Sequence, residues 1–229
     1  MPYLAPLLPL PVPVPVGKGA PGEDFGLPWS VYAWLDGADA FDEPVVDLAH
    51  AAVELGRFGV ALRGVDATGG PRSFRGGHIT EWTGGHLATA LRDLGADGTV
   101  DGPAAAAAWE SVLRLPQWEG PPVWVHGDLL PGNLLTRGGR LGAVIDFGGV
   151  GTGDPAVDMM AAWTLLTAET RPLLREAARV DDATWARGRG WALAWGLVTE
   201  HHYRHTNPIL ATVAHRAWAE ALPEFTSPA

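Results

Sequence analysis

The sequence contains no cysteine among its 229 residues. This excludes disulfide bonds, a catalytic thiol and cysteine zinc sites, and it fits the reducing cytoplasm. Basic residues are also scarce, with 16 Lys and Arg against 26 Asp and Glu and a formal net charge of −10. Because nucleic acids and anionic membranes attract basic surfaces, this balance argues against both partners. It favours a small molecule, and a cationic one in particular.

Long apolar runs are missing as well. Residues 1–17 are uncharged, but they contain six prolines, which prevent a helix, and they lack the basic start of a signal peptide. No other run approaches the roughly 18 apolar residues that span a bilayer. We therefore expect no membrane partner. With 47% hydrophobic residues, the chain can bury a sizeable globular core.

The pattern of apolar residues predicts an α+β fold. Alternation of proline with aliphatic residues predicts an edge strand at Leu8–Val16, and aromatic and β-branched residues predict a strand at Trp29–Leu35. Helical spacing of apolar residues predicts a helix from about Pro44 to Arg63. Residues 64–80 are rich in glycine and are predicted to form an exposed loop, with Lys18 in an earlier turn. Further helices are expected at residues 86–94, 102–115, 155–166, 172–179, 182–203 and 208–222, the 182–203 helix with Asp182 as its N-cap.

Two short apolar strands, Val123–Val125 and Leu141–Ile145, are each followed by polar side chains that can carry chemistry. Asp128 and Asn133 follow the first strand, and Asp146 follows the second. If the strands pair, these three side chains converge at one end of them. Amide and carboxylate oxygens suit Mg²⁺, and a remaining carboxylate can accept a proton, which is the arrangement used in phosphoryl transfer. Taken singly, Asp and Asn are also ordinary turn residues.

These segments resemble the motifs of a known family. "HGDLLPGN" resembles the H-x-D-x-x-x-x-N catalytic loop of protein-kinase-like folds, and "IDFGG" resembles their D-F-G segment, with the two aspartates 18 positions apart. Gly127 and the downstream "GDPAVDMMAAW" look more specifically like the aminoglycoside phosphotransferase family. The resemblance covers nearly the whole chain. It implies a kinase-like fold with a partial N-lobe sheet and hinge at residues 1–36, and a mainly helical C-lobe with a catalytic β-hairpin at residues 37–229.

The resemblance also implies roles for individual residues. Asp128 is then the catalytic base, and Asn133 and Asp146 are the Mg²⁺ ligands. The backbone of Ala33 and Leu35 forms the hinge that contacts the base of ATP or GTP. The same resemblance implies that His126 braces the loop against Phe147, and that Asp154 and Asp158 brace the loop as well, Asp154 as the N-cap before Pro155.

Other parts of the family pattern are missing from the first 40 residues. They contain no G-x-G-x-x-G loop, and Lys18 is not in a strand of the V-A-I-K type. By comparison with the family, the chain begins as though roughly one quarter of a single-domain kinase were removed. The sequence leaves three explanations open: a fragment, a degenerate paralogue, or a protein that borrows the missing lobe from a partner.

Several interpretations therefore stay open. The first is a kinase that phosphorylates a hydroxyl group of a small polar molecule, and the second is a catalytically inactive binding module. A metal-dependent hydrolase is disfavoured, because it usually needs more metal ligands. The histidines at positions 201, 202 and 205 are expected to be solvated side chains, with a metal site as the disfavoured alternative. Glu200, Glu220 and Glu224 are expected on a solvated helix face, with contact to an amino-sugar cation as the alternative.

Overall fold

The first part of the chain forms a small, exposed hairpin. The computed structural model describes residues 1–226, so the predicted unit at residues 37–229 ends three positions outside this range. After a 3-10 turn at Ala5–Leu7, strands β1 (Pro15–Gly19) and β2 (Trp29–Tyr32) pair in antiparallel fashion. The strand predicted for Leu8–Val16 begins only at Pro15. Prolines at alternate positions before it have no N–H to donate to a partner strand.

Lys18, the only lysine of the chain, lies within β1 opposite Ser30 and is exposed. The predicted turn at this position is therefore wrong. The pairing of β1 and β2 shifts register between Pro15 and Gly17 and then continues through Lys18 to Gly19.

The residues before β1 pack against the body of the protein. Leu4, Leu10 and Val12 are buried in the same core as the helices. The backbone N–H of Val144 donates a hydrogen bond of 3.0 Å to the carbonyl of Pro11. The segment that leads into β1 is therefore fixed to the larger part of the protein, while every residue of β2 is exposed.

Most of the remaining chain is helical. Its helices are α1 (Leu48–Arg63), α2 (Ile79–Thr83), α3 (His86–Ala96), α4 (Gly102–Leu113), α5 (Ala161–Thr164), α6 (Arg171–Ala178), α7 (Asp182–Tyr203), α8 (Pro208–Ala221) and α9 (Pro223–Thr226). Helix α7 packs against α3 and α8, and Trp163, Trp191 and Trp195 are buried in the core. Within residues 1–226, no helix has both the length and the hydropathy that crossing a membrane requires.

Aspartate caps determine where two of the longer helices begin. Asp47 accepts a 3.0 Å hydrogen bond from the N–H of His50, so α1 begins later than the sequence predicted. At α7 the cap is Asp181, which accepts a 2.7 Å hydrogen bond from the N–H of Thr184. The predicted cap, Asp182, is instead the first helical residue. An N-cap lies just before the first turn and accepts hydrogen bonds from the free N–H groups of that turn, which is what Asp181 does.

Two small sheets carry the segments with the polar motifs. The strands are β3 (Ala38–Asp39), β4 (Val123–Val125), β5 (Leu134–Arg137), β6 (Arg140–Val144) and β7 (Gly151–Gly153). They form one sheet in the order β3-β5-β6 and a second sheet of β4 with β7, all antiparallel. Strand β4 pairs with β7 and not with the strand at Leu141–Ile145, so the pairing on which the expected convergence depended does not form. Gly138 and Gly139 both have positive φ and form the two-residue turn that pairs β6 with β5 instead.

Candidate active site

The segment after β4, residues 126–133, is called the Asp128 loop, and a buried carboxylate shapes its first part. Asp158 accepts hydrogen bonds from the backbone N–H of His126 at 2.9 Å and of Gly127 at 2.8 Å. Burial raises the pKa of Asp158, although its two N–H donors and the nearby Arg63 favour the charged form. The predicted bracing role of Asp158 is confirmed by these contacts, and Asp154 caps the 3-10 helix Pro155–Met160 as predicted.

His126 joins the Asp128 loop to the segment that follows β6. The backbone N–H of Asp128 donates to its Nδ1 at 3.2 Å, so Nε2 carries the proton and donates to the carbonyl of Ile145 at 3.0 Å. The ring packs edge-on against Phe147 at 4.7 Å, as predicted. Complete burial lowers the pKa of His126, more than the surrounding carboxylates raise it. His126 is therefore a neutral brace between the two functional segments.

Asn133 holds Asp128 at the other end of the loop. Its Nδ2 donates to the backbone carbonyl of Asp128 at 2.8 Å and to Oδ2 of the carboxylate at 3.0 Å. A 3-10 turn at Pro131–Asn133 brings the amide back toward Asp128. Both donors of Asn133 are used in this way, and its amide oxygen accepts no hydrogen bond within residues 1–226. That oxygen is free to bind a cation.

Asp146 lies beside Asn133 at the base of the β5–β6 hairpin. The N–H of Ile145 donates to the carbonyl of Asn133 at 2.9 Å. Asp146 itself has a left-handed backbone, with φ of 57°, and its Oδ1 accepts from the N–H of Gly148 at 3.2 Å. Its side chain is exposed, and Oδ2 is free of hydrogen bonds from the described residues. The donor set of one amide and one carboxylate oxygen fits Mg²⁺, which takes its other ligands from water and phosphate.

Two clefts meet at the Asp128 loop. The Trp82 cleft, of about 630 Å³, is lined by Asp128 and Asn133 together with Trp82, and the Ala33 cleft, of about 850 Å³, is lined by Ala33, Leu35 and Asp146. Gly132 forms part of both walls. The structure thus brings Asp128 and Asn133 together on one side. It brings Asp146, Ala33 and Leu35 together on the other side of a shared boundary.

Arg75 is the site residue that the sequence analysis missed. Its Nη1 donates to the carbonyl of Gly127 at 2.7 Å and forms an ion pair with Asp128. The neighbouring Ser73 hydroxyl donates to the carbonyl of Gly149 at 2.8 Å. Ser73 is buried, and the Arg75 side chain is only 12% exposed. The prediction that residues 64–80 form an exposed loop is therefore wrong at these two positions.

The acidic residues late in the chain have structural partners. Glu200 is buried and accepts hydrogen bonds from the indole N–H of Trp218 and from His215. Glu220 and Glu224 both pair with the buried guanidinium of Arg171. The prediction of a solvated helix face is wrong for Glu200, because the indole N–H inside the core needs an acceptor.

The late histidines form no metal site in the described part of the chain. Nε2 of His201 lies 3.0 Å from a carboxylate oxygen of Asp93. No cluster of three or more His, Asp or Glu side chains with metal-binding geometry occurs within residues 1–226.

Comparison with known proteins decides the family. The model of the phosphotransferase enzyme family, APH, matches residues 1–191. The chain belongs to this family. No curated protein sequence matches it significantly. The APH match and the site described above support a small-molecule phosphotransferase.

Solved structures show that this APH chain has the kinase-like fold. It matches the GDP complex of wild-type aminoglycoside 2'-phosphotransferase-IIIa with a TM-score of 0.69 and 17% identity, covering 97% of this chain and 79% of that one. It matches macrolide 2'-phosphotransferase MphH from Brachybacterium faecium with a TM-score of 0.58 and 23% identity, covering 94% and 75%. A ternary complex of APH(4)-Ia with AMP-PNP and hygromycin B matches with a TM-score of 0.58 and 19% identity, covering 96% of this chain and 79% of that one. The α+β fold predicted from the motifs is confirmed.

Proposed function

We propose that the protein transfers the γ-phosphate of ATP or GTP to a hydroxyl group of a small molecule. The observation that carries this proposal is the position of Asp128. Its carboxylate accepts a 3.0 Å hydrogen bond from Asn133 and faces the Trp82 cleft. Gly132 lines both this cleft and the Ala33 cleft. A donor and an acceptor bound in adjacent clefts would thus meet at a carboxylate whose orientation is already fixed.

The Ala33 cleft is the proposed nucleotide site. The N–H of Ala33 donates to the carbonyl of Val14 at 2.9 Å, which leaves the carbonyl of Ala33 and the backbone of Leu35 to contact a nucleotide base. Asn133 and Asp146 would hold Mg²⁺, which neutralises phosphate charge when it is bound. Nucleotides occur in the related complexes, with GDP in aminoglycoside 2'-phosphotransferase-IIIa and ATP in a streptomycin complex of APH(2")-IIa. A reaction that consumes ATP or GTP belongs in the cytoplasm, where we place the protein.

Asp128 would act on the acceptor hydroxyl. As the hydroxyl oxygen forms its bond to the γ-phosphorus, the bond between this phosphorus and the β–γ bridging oxygen breaks, and the hydroxyl proton passes to Asp128. Asn133 keeps the carboxylate oriented through its two hydrogen bonds. We also propose that residues 1–36 serve as the nucleotide-side unit and that residues 37–229 carry the acceptor site.

A second candidate is a binding module without catalysis, and one observation favours it. No Lys or Arg side chain lines the Ala33 cleft among residues 1–226. Lys18 lies exposed in β1, opposite Ser30. A triphosphate in this cleft would therefore depend on the cation and backbone groups for charge neutralisation. Such a site could retain its acceptor cleft while transferring phosphate slowly.

Thermal melting and a transfer assay, applied to three matched aspartate variants, test the proposal. Mg²⁺ with ATP or GTP should raise the Tm of the wild type. At a nucleotide concentration a hundredfold above Kd, the free energy of unfolding should rise by roughly 2.7 kcal/mol. Asp146→Asn should lose this shift. Asp128→Asn should keep it while transfer falls at least about a hundredfold. Asp182→Asn, the same change at an exposed site, should behave as wild type.

The outcomes separate the two candidates. Stabilisation by neither nucleotide would favour the binding module. Wild-type transfer rates in Asp128→Asn would refute the role of Asp128 as the base.

A further inference from the structure

Among residues 1–226, one carboxylate lines the Trp82 cleft, and a neighbouring arginine neutralises it. Asp128 pairs with Arg75, and the side chains are 24% and 12% exposed. Arg75 also donates to the carbonyl of Gly127 at 2.7 Å, so the guanidinium is fixed in place by the loop that it neutralises. A partly buried pair of opposite charges presents little net charge to a molecule entering the cleft.

The other ionisable side chains in the wall are three imidazoles and one phenol. His86, His201, His202 and Tyr203 line the cleft, and no further carboxylate does so in the described chain. The nearby carboxylates are engaged elsewhere. Asp93 binds His201 at 3.0 Å, and this hydrogen bond holds the pKa of Asp93 below its ordinary value. Glu200 faces the core. An ammonium group entering the cleft would therefore find no free carboxylate.

Most of the remaining wall is apolar or aromatic, and a few hydroxyl and amide groups complete it. Phe41, Trp82, Trp195 and Leu210 contribute broad apolar surfaces. The guanidinium of Arg75 already lies over the Trp82 ring, 5.7 Å from its centroid, so this aromatic face already has a cation. Surfaces of this kind bind apolar ring faces and leave a few polar groups to orient a hydroxyl.

We propose that the acceptor of this APH protein is an uncharged hydroxyl compound with an apolar face, and that Arg75 makes the cleft unfavourable for polycations. The inference rests on the proposed function, because it identifies the Trp82 cleft as the acceptor site. Transfer of several ammonium groups into an apolar cleft without free carboxylates loses hydration that nothing replaces. The net charge of −10 favours a cationic ligand, but most of that charge lies outside the cleft, and the acceptor contacts the cleft itself.

Calorimetric titration without nucleotide tests the inference with kanamycin and its fully N-acetylated derivative, which keeps the hydroxyls and loses the charge. We expect wild type to bind the uncharged compound at least as tightly as kanamycin. Arg75→Gln frees the Asp128 carboxylate and should raise kanamycin affinity at least roughly tenfold at low ionic strength. Arg72→Gln is the matched control. Arg72 belongs to the same segment, but it is exposed and pairs with Glu81 at 2.5 Å outside the cleft.

Each outcome decides the inference. Wild type that binds kanamycin more tightly than the acetylated compound overturns it, and so does an Arg75→Gln variant whose kanamycin affinity is unchanged. Arg75→Lys keeps the positive charge and should bind kanamycin as weakly as wild type does. This variant distinguishes the effect of the charge on kanamycin affinity from the effect of a folding defect. Thermal melting verifies that each variant is folded. Failure of nucleotide to stabilise wild type would remove the proposed kinase function but would leave these binding results intact.

Discussion

Substitution of Gly127 by alanine should disrupt the Asp128 loop for two separable reasons. Gly127 has a φ of 79°, in the left-handed region that disfavours a side chain. A Cβ atom built there would lie 2.9 Å from Oγ of Ser73 and 3.1 Å from the carbonyl oxygen of Gly149. Ser73 cannot move away freely, because its hydroxyl donates to that same carbonyl at 2.8 Å. Backbone strain and close contact therefore add together.

The size of the effect follows from these two parts. A left-handed non-glycine residue costs about 1–2 kcal/mol, and overpacking costs about 1–3 kcal/mol. Alanine also reduces the entropy of the unfolded chain, which offsets about 0.4–1 kcal/mol. Gly127→Ala should thus lower the free energy of unfolding by about 1–4.6 kcal/mol, with a central value of about 3 kcal/mol. Gly138 provides the matched control, since its φ is 58° and a Cβ there meets nothing within 4 Å. Gly138→Ala should lower it by only about 1 kcal/mol.

Urea denaturation followed by tryptophan fluorescence measures both variants against wild type. Gly127→Ala should also reduce phosphoryl transfer, since a displacement of about 1 Å at Asp128 can reduce the rate by roughly a hundredfold. Gly138→Ala lies at the far end of the β5–β6 hairpin and should retain its transfer rate. Equal losses of stability in the two variants would refute the argument from close contact. Such a result would leave only the cost of the positive φ.

Two further predictions concern stability away from the site. Asp181→Ala removes the cap of α7 and should destabilise by about 1 kcal/mol, whereas Asp182→Ala should change stability by less than about 0.5 kcal/mol. Because hydrogen bonds from Thr184 lower the pKa of Asp181 below 3.8, the capping contribution is complete above that pH. It should fade in urea titrations as the pH falls below 3.8. Glu200→Ala leaves the buried indole N–H of Trp218 without its acceptor and should destabilise by about 1–3 kcal/mol, while Glu200→Gln should lose less than half of that in the same assay.

The parts of the site that the sequence predicted best are those held by short-range contacts. Asp128 and Asn133 are five positions apart, and a single 3-10 turn brings the amide to the carboxylate. His126 and Phe147 were expected to touch because the resemblance supplied both motifs in order, and their rings are 4.7 Å apart. The roles of these residues in catalysis and metal binding stay predictions. The proximity of Asp128 and Asn133, however, follows from local geometry, and that of His126 and Phe147 from the order of the two motifs.

Arg75 shows why the remainder could not be predicted. It lies 53 positions before Asp128 in a glycine-rich segment that has no helical or strand period, so nothing local distinguishes it from the exposed Arg72. Its position depends on β7, because the N–H of Ser73 donates to the carbonyl of Thr152 at 3.1 Å and draws the segment alongside. Strand β7 in turn pairs with β4, whereas the sequence suggested Leu141–Ile145 as the partner of β4. Without this long-range strand pairing, the sequence does not show that Arg75 lies next to Asp128. The charge of the Trp82 cleft follows from that topology, and the net charge of the whole chain does not reveal it.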